Sequence, residues 1–352
     1  MALAFGAARR LLQQAVADRA FPAAVVEVGT AHQPLWREAF GRLSFEPTAA
    51  VTREDTYFDL ASLTKVLATA SLIMRVVERG ALGLDDPVSA HIPPWRDTHG
   101  GDPVTVRDLL AHCSGLPAHL PLFREHAGRL EFERAICGTP LAYRPRSGSI
   151  YSDLGFMLLG FILEDIAALP VQFDTLRQQM GAIQDLQFHP PERWRSRTAP
   201  TREDEWRGRL LVGEVDDDNA WALGGAAGHA GLFGTAQSVG ECARHILQVL
   251  EGRQGAFQVR TLLTFVTRRA DIPGSSRALA WDTMLPTSSC GTRLSPRAFG
   301  HVGFTGTSLW IDPDSAIYVV LLTNRVHPKA SNDAIRSVRP ALHDMVMQGL
   351  GK

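Results

Sequence analysis

Lysine is scarce in this chain of 352 residues. Only three of the 36 basic residues are lysines, and the remaining 33 (36 minus 3) are arginines. Arginine stays protonated at any pH that a protein experiences, so it cannot serve as a base. A lysine can lose its proton when it is buried or lies near other cations. Amine chemistry is therefore restricted to three positions: Lys65, Lys329 and Lys352.

The sequence also lacks a large net charge and any long apolar run. Its formal net charge is −1 at pH 7, with 45% hydrophobic and 21% charged residues. A nucleic-acid or membrane-surface partner requires a concentrated basic patch, and a membrane span requires about 20 apolar residues. The composition therefore argues against both partners and is typical of a globular protein with a sizeable core.

Paired cysteines are absent. The four cysteines are scattered, at Cys113, Cys137, Cys242 and Cys290, with no Cys-x-x-Cys pair. This pattern argues against structural disulfides and a zinc site, and it predicts isolated, mostly buried thiols. His112, His119 and His229 do not have zinc-ligand spacing. We predict no metal ion and no cofactor.

The N-terminal residues do not have the order of a secretory signal. The apolar residues 1–8 precede Arg9 and Arg10. In a secretory signal the positive residues come first and a longer apolar core follows, so we predict an amphipathic helix here. We expect a cytoplasmic protein, or a periplasmic one only if a leader has been removed.

Strand patterns lie near both ends of the chain and helical patterns lie between them. Strands are predicted at 23–29, 35–41, 299–311 and 317–323. Helices are predicted at 62–79, 155–166 and 332–347, and a loop at 193–218. We predict an α/β lobe from residues 1–80 and 220–352, with an antiparallel sheet flanked by helices. A mainly helical lobe, residues 81–219, is inserted, and the active site is expected between the lobes.

One of the lysines stands three residues after a serine, in Ser62-Leu63-Thr64-Lys65. Residues three apart lie on the same face of a helix, so the lysine amine can sit beside the serine hydroxyl. That is the geometry of an activated serine nucleophile. An exposed lysine on an ordinary surface helix has the same spacing, and the pattern alone leaves both interpretations open.

A second motif, Tyr151-Ser152-Asp153, precedes the apolar helix. A tyrosine hydroxyl flanked by cations can have its pKa lowered enough to accept a proton. The alternative is that Ser152 or Asp153 only caps the helix.

A third motif is rich in glycine and includes a histidine. Gly300, Gly303 and Gly306 lie within seven residues of a predicted strand, together with His301. Glycines weaken a strand and usually mark a close approach by a ligand or another backbone. Taken by itself, His301 is better interpreted as an edge-strand histidine whose hydrogen bonds are satisfied.

Together these segments resemble the serine β-lactamase and penicillin-binding-protein superfamily, in particular its class C β-lactamase-related esterases, peptidases and lactamases. The resemblance extends over most of the chain. It includes Phe-Asp-Leu-Ala before Ser62 and the segments 81–87, 106–117 and 228–234. Agreement of this length is specific for a β-lactamase/transpeptidase-like fold, of class α/β plus α, and much less specific for the substrate.

The resemblance implies a role for each motif. Ser62 would be the acylated nucleophile, with Lys65 and Tyr151 as the other catalytic residues. Either Tyr151 or Lys65 would be the base. The backbone N–H groups of Ser62 and Phe304 would form the oxyanion hole.

Two departures from the family pattern affect the predicted substrate contacts. The third motif has His301-Val302-Gly303 where the family typically has Lys-Thr-Gly, and a mostly neutral histidine should bind a carboxylate more weakly. Asp153 replaces the usual asparagine and, if it lies near Lys65, favours the protonated amine. This shifts the base role towards Tyr151. We assign Asp153, His301 and Gly303 to substrate binding.

The predicted function is that of a serine hydrolase acting on a small-molecule acyl substrate, most simply an esterase or amidase. The alternative is a β-lactamase or D-alanyl-D-alanine carboxypeptidase. A third hypothesis is a non-catalytic acyl-binding or scaffold protein with the same fold. No oligomeric state is predicted.

Overall fold

The strands of the large sheet come from the two ends of the chain, and a long, mainly helical section lies between them in the sequence. The computed structural model describes residues 4–98, 104–167, 171–330 and 332–352. The strands are β1 (Ala23–Gly29), β2 (Pro34–Gly41), β3 (Phe58–Asp59), β4 (Leu186–Phe188), β5 (Glu203–Asp204), β6 (Arg209–Leu210), β7 (Leu232–Gly234), β8 (Asp282–Thr283), β9 (Phe299–Val302), β10 (Ser308–Asp312) and β11 (Ile317–Thr323).

Helices make up most of the middle section and flank both ends. The α-helices are α1 (Gly6–Ala17), α2 (Ser71–Glu78), α3 (Val88–His91), α4 (Pro93–Thr98), α5 (Val106–Leu110), α6 (Gly128–Cys137), α7 (Asp153–Ala167), α8 (Val171–Gln179), α9 (Asp218–Ala222), α10 (Ala236–Leu250), α11 (Val259–Val266) and α12 (Ile335–Gly349). A π-helix covers Lys65–Ala70, and 3-10 turns cover Leu122–Arg124 and Glu192–Arg197.

The central sheet has six strands in the order β2-β1-β11-β10-β9-β8, and its neighbouring strands are antiparallel. Every residue of β1 is buried, because the sheet is covered on both faces. Val25 packs in the core that contains α10, and Val26 packs in the core that contains α1 and α12. Alternate residues of a strand point to opposite faces, so the fold has three layers, with the sheet in the middle.

Most predicted elements are present, with two corrections. The β10–β11 hairpin is confirmed, with Asp312 paired to Ile317. A single strand over 299–311 is wrong, because a turn closed by the Gly303 N–H and the Thr307 oxygen at 2.7 Å separates β9 from β10. The stretch 193–218 is also not a plain loop, since it includes the β5–β6 hairpin.

The helix predicted from residue 62 is irregular. Six residues, Lys65–Ala70, form a π-helix before α2 begins. Within it the Thr69 hydroxyl donates to the Gly228 oxygen at 2.6 Å, which ties this segment to the chain before β7. A short π-helical insertion is rare and frequently occurs at a functional site. Here it follows Ser62 and contains Lys65.

The cysteine prediction is confirmed, because all four cysteines are buried and free. No helix in the described part of the chain is both long and apolar enough to cross a bilayer. Within the same residues, no group of three or more acidic, histidine or cysteine side chains is arranged to hold a metal ion.

Close backbone packing fixes α7 against the rest of the protein and yields a stability test. A Cβ at Gly160 would lie 2.8 Å from the Gly228 nitrogen, whereas one at Gly155 in the same helix would meet nothing closer than 3.5 Å. We expect Gly160→Ala to destabilise the protein by about 1–3 kcal/mol, since a backbone must shift. Gly155→Ala, the matched control, should change stability by less than about 1 kcal/mol. Urea unfolding measures both; equal stabilities would contradict the packing argument.

Candidate active site

Ser62 lies where β3 meets the helical segment that carries Lys65. The preceding residue, Ala61, has a φ of +47°, an uncommon conformation outside glycine. Asp59, at the end of β3, stabilises this turn because its Oδ1 accepts the Ala61 N–H at 2.8 Å. Its Oδ2 accepts the Asp216 N–H at 2.6 Å, and burial raises the pKa of Asp59 to about 7. The sequence identified Asp59 only as part of the Phe-Asp-Leu-Ala motif, and the structure reveals its two hydrogen bonds.

Lys65 is fully buried and has three polar partners. Its Nζ donates to the Ser62 Oγ and to the His229 oxygen, each at 3.0 Å, and lies 2.8 Å from the Asp153 Oδ1. Burial opposes the charged form, but Asp153 and Tyr151 outweigh it and raise the pKa of Lys65. Asp153 does lie beside Lys65, which was the condition for a protonated amine. A protonated Lys65 donates to the serine oxygen and cannot accept its proton.

Tyr151 faces the same cluster. Its hydroxyl is directed towards Lys65 and Ser62, and that oxygen is buried without a well-aligned hydrogen bond to any described residue. The expectation of a lowered pKa is wrong: burial raises the pKa of Tyr151 and outweighs the opposing effect of Lys65. Asp153 adds to the effect of burial, because its negative charge also raises the pKa of Tyr151 and offsets the charge of Lys65.

Helix capping, the alternative for the second motif, is also present. The Ser152 Oγ accepts the Gly155 N–H at 3.3 Å and donates to the Pro117 oxygen at 2.7 Å. The Ser152 N–H donates to the His112 Nδ1 at 3.0 Å, and the His112 ring centroid lies 4.6 Å from that of Tyr151. Burial lowers the pKa of His112 well below its usual value, so the ring is neutral. His112, to which sequence reasoning gave no role in the site, thus binds the backbone next to Tyr151 and packs against its ring.

His301 is buried in β9, where it pairs with Leu309 of β10, while the short strand β8 pairs only with Phe299 and Gly300. Its Nδ1 lies 2.8 Å from the Val302 oxygen and therefore carries the proton, while its buried Nε2 has no partner among the described residues. Burial lowers the pKa of His301 well below its usual value, with a further contribution from Arg277. The position that resembles the family's lysine is thus occupied by a neutral ring.

The glycines beside His301 have separate causes. A Cβ at Gly303 would lie 2.7 Å from the Leu60 oxygen, so another backbone does come close there. Gly300 packs beneath the Trp310 ring, a packing role that the sequence did not reveal, and Gly306 has a φ of +108° in the turn. Gly303 also lines the cleft. Its contact with a substrate stays a prediction.

The two predicted oxyanion donors are both free. Neither the Ser62 N–H nor the Phe304 N–H has an acceptor among the residues that the structure describes. Phe304 lies in the turn between β9 and β10. The hydroxyl of the neighbouring Thr305 donates to the backbone carbonyl oxygen of Asp59 at 2.8 Å and so connects this turn to the segment before Ser62.

Two arginines donate hydrogen bonds to backbone oxygens of the same turn. An Nη2 of Arg339 donates to the Gly303 and Thr307 oxygens, each at 2.8 Å, and the Arg325 Nε donates to the Phe304 oxygen at 2.8 Å. The Gly303 oxygen and the Phe304 N–H belong to one planar trans peptide group and point in opposite directions. Arg339 is buried and has no carboxylate partner among the described residues. Its contact therefore fixes the direction of the Phe304 N–H.

These groups meet in a cleft of about 550 Å³. Ser62, Tyr151, Asp153, His301, Gly303 and Phe304 all line it. The structure thus brings together the predicted site residues around the buried Lys65, and it adds Arg277, a cation that sequence reasoning did not single out.

A serine, a lysine three residues later and a tyrosine, gathered beside an antiparallel sheet, are the arrangement of a serine hydrolase. A model of the Beta-lactamase family matches residues 8–342, so the protein belongs to that family. A relative from Salmonella gallinarum named "Putative D-alanyl-D-alanine carboxypeptidase" is 32% identical over 328 residues, covering 82% of this chain and 73% of the relative. A protein of the same name from Salmonella agona is 31% identical with the same coverage.

Solved structures confirm the predicted fold. EstCE1, a hydrolase with promiscuous acyltransferase activity, aligns with a TM-score of 0.77 and 22% identity over 98% of this chain and 99% of its own. The octameric penicillin-binding protein homologue from Pyrococcus abyssi aligns with a TM-score of 0.76 and 20% identity over 99% of this chain and 77% of its own. The chain is a serine hydrolase with a β-lactamase/transpeptidase-like, α/β plus α fold.

The contact of Arg339 with the oxyanion turn gives a kinetic prediction. Arg339→Met should lower kcat about tenfold with little change in KM, because a misdirected donor affects the transition state more than the bound substrate. Arg339→Lys should recover part of this loss. Arg297→Met, which removes an exposed arginine paired with Asp314, is the control. Steady-state kinetics with thermal midpoints measure these effects, and a change in KM alone would contradict the positioning role.

The pH profile tests the charge of Asp153. That carboxylate raises the pKa of both Lys65 and Tyr151. A base acts when deprotonated, so Asp153→Asn should move the rising limb of kcat/KM to lower pH. Asp314→Asn, an acid on the far hairpin, should leave the limb in place. If the rising limb of Asp153→Asn is unchanged or moves to higher pH, the Asp153 carboxylate is not the charge that raises the pKa of the base.

Proposed function

We propose that this serine hydrolase cleaves small acyl esters or amides through a covalent acyl-enzyme on Ser62. The observation that supports it most directly is the 3.0 Å contact between the Lys65 Nζ and the Ser62 Oγ, with Asp153 holding the amine in place. The neutral His301 favours an esterase or amidase over an enzyme that relies on a lysine at this position. EstCE1, which has the same fold, is itself described as a hydrolase.

In acylation, the Ser62 Oγ attacks the carbonyl carbon while its proton passes to the phenolate of Tyr151, which at neutral pH is the minor form because the pKa of Tyr151 is raised. Lys65 stays protonated and stabilises the phenolate. The negative charge that develops on the carbonyl oxygen is held by the N–H groups of Ser62 and Phe304. Tyr151 then donates its proton to the leaving group, and the carbonyl–leaving-group bond breaks. Lys65 as the base is the less favoured alternative, since Asp153 keeps it charged.

Water completes the reaction. It attacks the acyl carbon and gives one proton to Tyr151. The bond between the acyl carbon and the Ser62 Oγ then breaks, Tyr151 returns that proton to Ser62, and the acid leaves. Asp153, His301 and Gly303 line the cleft in which the substrate would lie.

We also propose that residues 1–80 and 220–352 form one lobe and residues 81–219 another, with the cleft between them. The proposed location of the protein is the cytoplasm.

The second candidate function is that of a D-alanyl-D-alanine carboxypeptidase or β-lactamase. It is favoured by the names of the Salmonella relatives, at 31–32% identity. The same Ser62 chemistry would serve it, so the two functions differ in the substrate and not in the mechanism.

Hydrolysis of 4-nitrophenyl butyrate tests the proposal. The protein should turn over this ester, and Ser62→Ala should lower kcat by at least about 10³-fold, since the nucleophile is lost. Ser149→Ala, at a serine in the loop before the second motif, is the control and should retain full activity. Hydrolysis that survives Ser62→Ala would rule out the acyl-enzyme.

Two further measurements separate the alternatives. Rapid nitrocefin hydrolysis, or a stable penicillin adduct on Ser62, would favour the second candidate. Intact-mass spectrometry after a fluorophosphonate probe should show one adduct, absent in Ser62→Ala. No mass shift in the unaltered protein would instead support a non-catalytic acyl-binding or scaffold protein.

A further inference from the structure

His119 lies next to the carboxylate that keeps Lys65 charged. It belongs to the segment between α5 and α6 and lines the cleft together with Ser62 and Asp153. The two oxygens of Asp153 have different neighbours: Oδ1 lies 2.8 Å from the Lys65 Nζ, and Oδ2 lies 3.7 Å from the His119 Nδ1. One carboxylate therefore connects the buried amine to a histidine that none of the three motifs includes.

These three side chains differ in their access to solvent. The side chain of Lys65 is 0% exposed, that of Asp153 is 19% exposed and that of His119 is 48% exposed. Histidine is also the side chain whose usual pKa lies in the range between about pH 5 and 8. His119 can therefore exchange its proton with the solvent, whereas the amine of Lys65 is enclosed.

Three carboxylates act on the imidazole of His119. The contact with Asp153 raises the pKa of His119, burial opposes this shift, and the charges of Asp217 and Asp218 add to it. His119 therefore binds a proton at a higher pH than an isolated histidine does.

Two of these carboxylates have other close partners. The Asp217 Oδ1 lies 2.9 Å from the His229 Nε2, and the Asp218 Oδ1 accepts a hydrogen bond from the Arg202 Nη2 at 2.6 Å. Asp153 is different, because its second partner is Lys65, which also donates to the Ser62 Oγ. The charge of His119 is thus transmitted to the reacting centre through Asp153.

We infer that His119 is a positioning residue that acts through Asp153 and regulates the charge at the reacting centre. Its protonated form offsets part of the carboxylate charge that Tyr151 and Lys65 experience, and its neutral form leaves that charge in full. An asparagine at residue 153 would have no charge for His119 to offset. This inference rests on the proposed function, since it concerns the base of the acyl-enzyme reaction.

The sign of the effect is the same whichever residue is the base. A nearby positive charge favours the phenolate of Tyr151 over the phenol, and it equally favours the neutral amine of Lys65 over the ammonium ion. Below its own pKa, His119 therefore increases the fraction of active base, and above that pKa this contribution is lost. The enzyme should keep more activity at acidic pH than it would without His119.

The pH dependence of kcat/KM for 4-nitrophenyl butyrate tests the inference. Between about pH 5 and 9, H119Q should lose activity about 2- to 5-fold at the acidic end and should equal the unaltered enzyme at the alkaline end. H119K keeps a positive charge throughout, so it should match the unaltered enzyme at the acidic end and exceed it at the alkaline end. High salt should reduce both differences, because it screens exposed charges.

The control is H126Q, at a histidine of the same segment that is not among the described residues lining the cleft, and it should leave the profile unchanged. A loss in H119Q that is equal at every pH would assign His119 to substrate contact or folding and overturn the inference, as would an unchanged profile. If no ester is hydrolysed, or hydrolysis survives Ser62→Ala, the proposed function itself fails.

An NMR titration gives a readout that does not depend on activity. Because coupling between two sites is reciprocal, D153N should lower the pKa of His119, measured from its imidazole resonances and assigned with H119Q. The resonances of His126 should titrate unchanged in the same spectra. If His119 titrates at the same pH in both proteins, the pair with Asp153 does not form and the inference is wrong, whether or not the ester is hydrolysed.

Discussion

The buried ion pair between Lys65 and Asp153 is the interaction on which the candidate site depends. Lys65 comes from the π-helical segment after β3 and Asp153 from the start of α7, so the pair joins the nucleophile to the helical middle section. Because Lys65 is fully buried, its positive charge is costly without a nearby carboxylate, and Asp153 supplies one. Because the same amine donates to Ser62 and to the His229 oxygen, keeping it charged also fixes the serine hydroxyl.

Around this pair, two backbone segments are in close contact: the turn between β9 and β10, and the residues just before Ser62. Gly303 allows the oxyanion turn to approach the Leu60 oxygen, and the Thr307 hydroxyl donates to that oxygen at 3.0 Å. Asp59 holds the turn before Ser62 from the other side. Donors fixed in this way need little reorganisation when charge develops on a substrate, which is the main requirement of an oxyanion hole.

The sequence predicted what local spacing and motif order determine. Helical spacing related Ser62 to Lys65, and the turn at residues 312–315 identified the β10–β11 hairpin. Arg277 and Arg339 left no such signal, since they are two of 33 arginines and meet the site only through tertiary contacts. The pKa of Tyr151 was predicted in the wrong direction because its sign depends on burial and on the balance between two neighbouring charges, which no motif encodes.

The position of β1 between β2 and β11 has a consequence for synthesis of the protein. Ala24 of β1 pairs with Thr323 of β11, so these paired residues are 299 positions apart in sequence (323 minus 24). A nascent chain on the ribosome carries β1 with only β2 beside it until β11 has been made, and its other edge remains open. Open strand edges promote association with other chains, and such distant pairing forms slowly. The growing polypeptide therefore exposes one edge of β1 for most of its translation, and the sheet beside the site is completed only after β11 has been made.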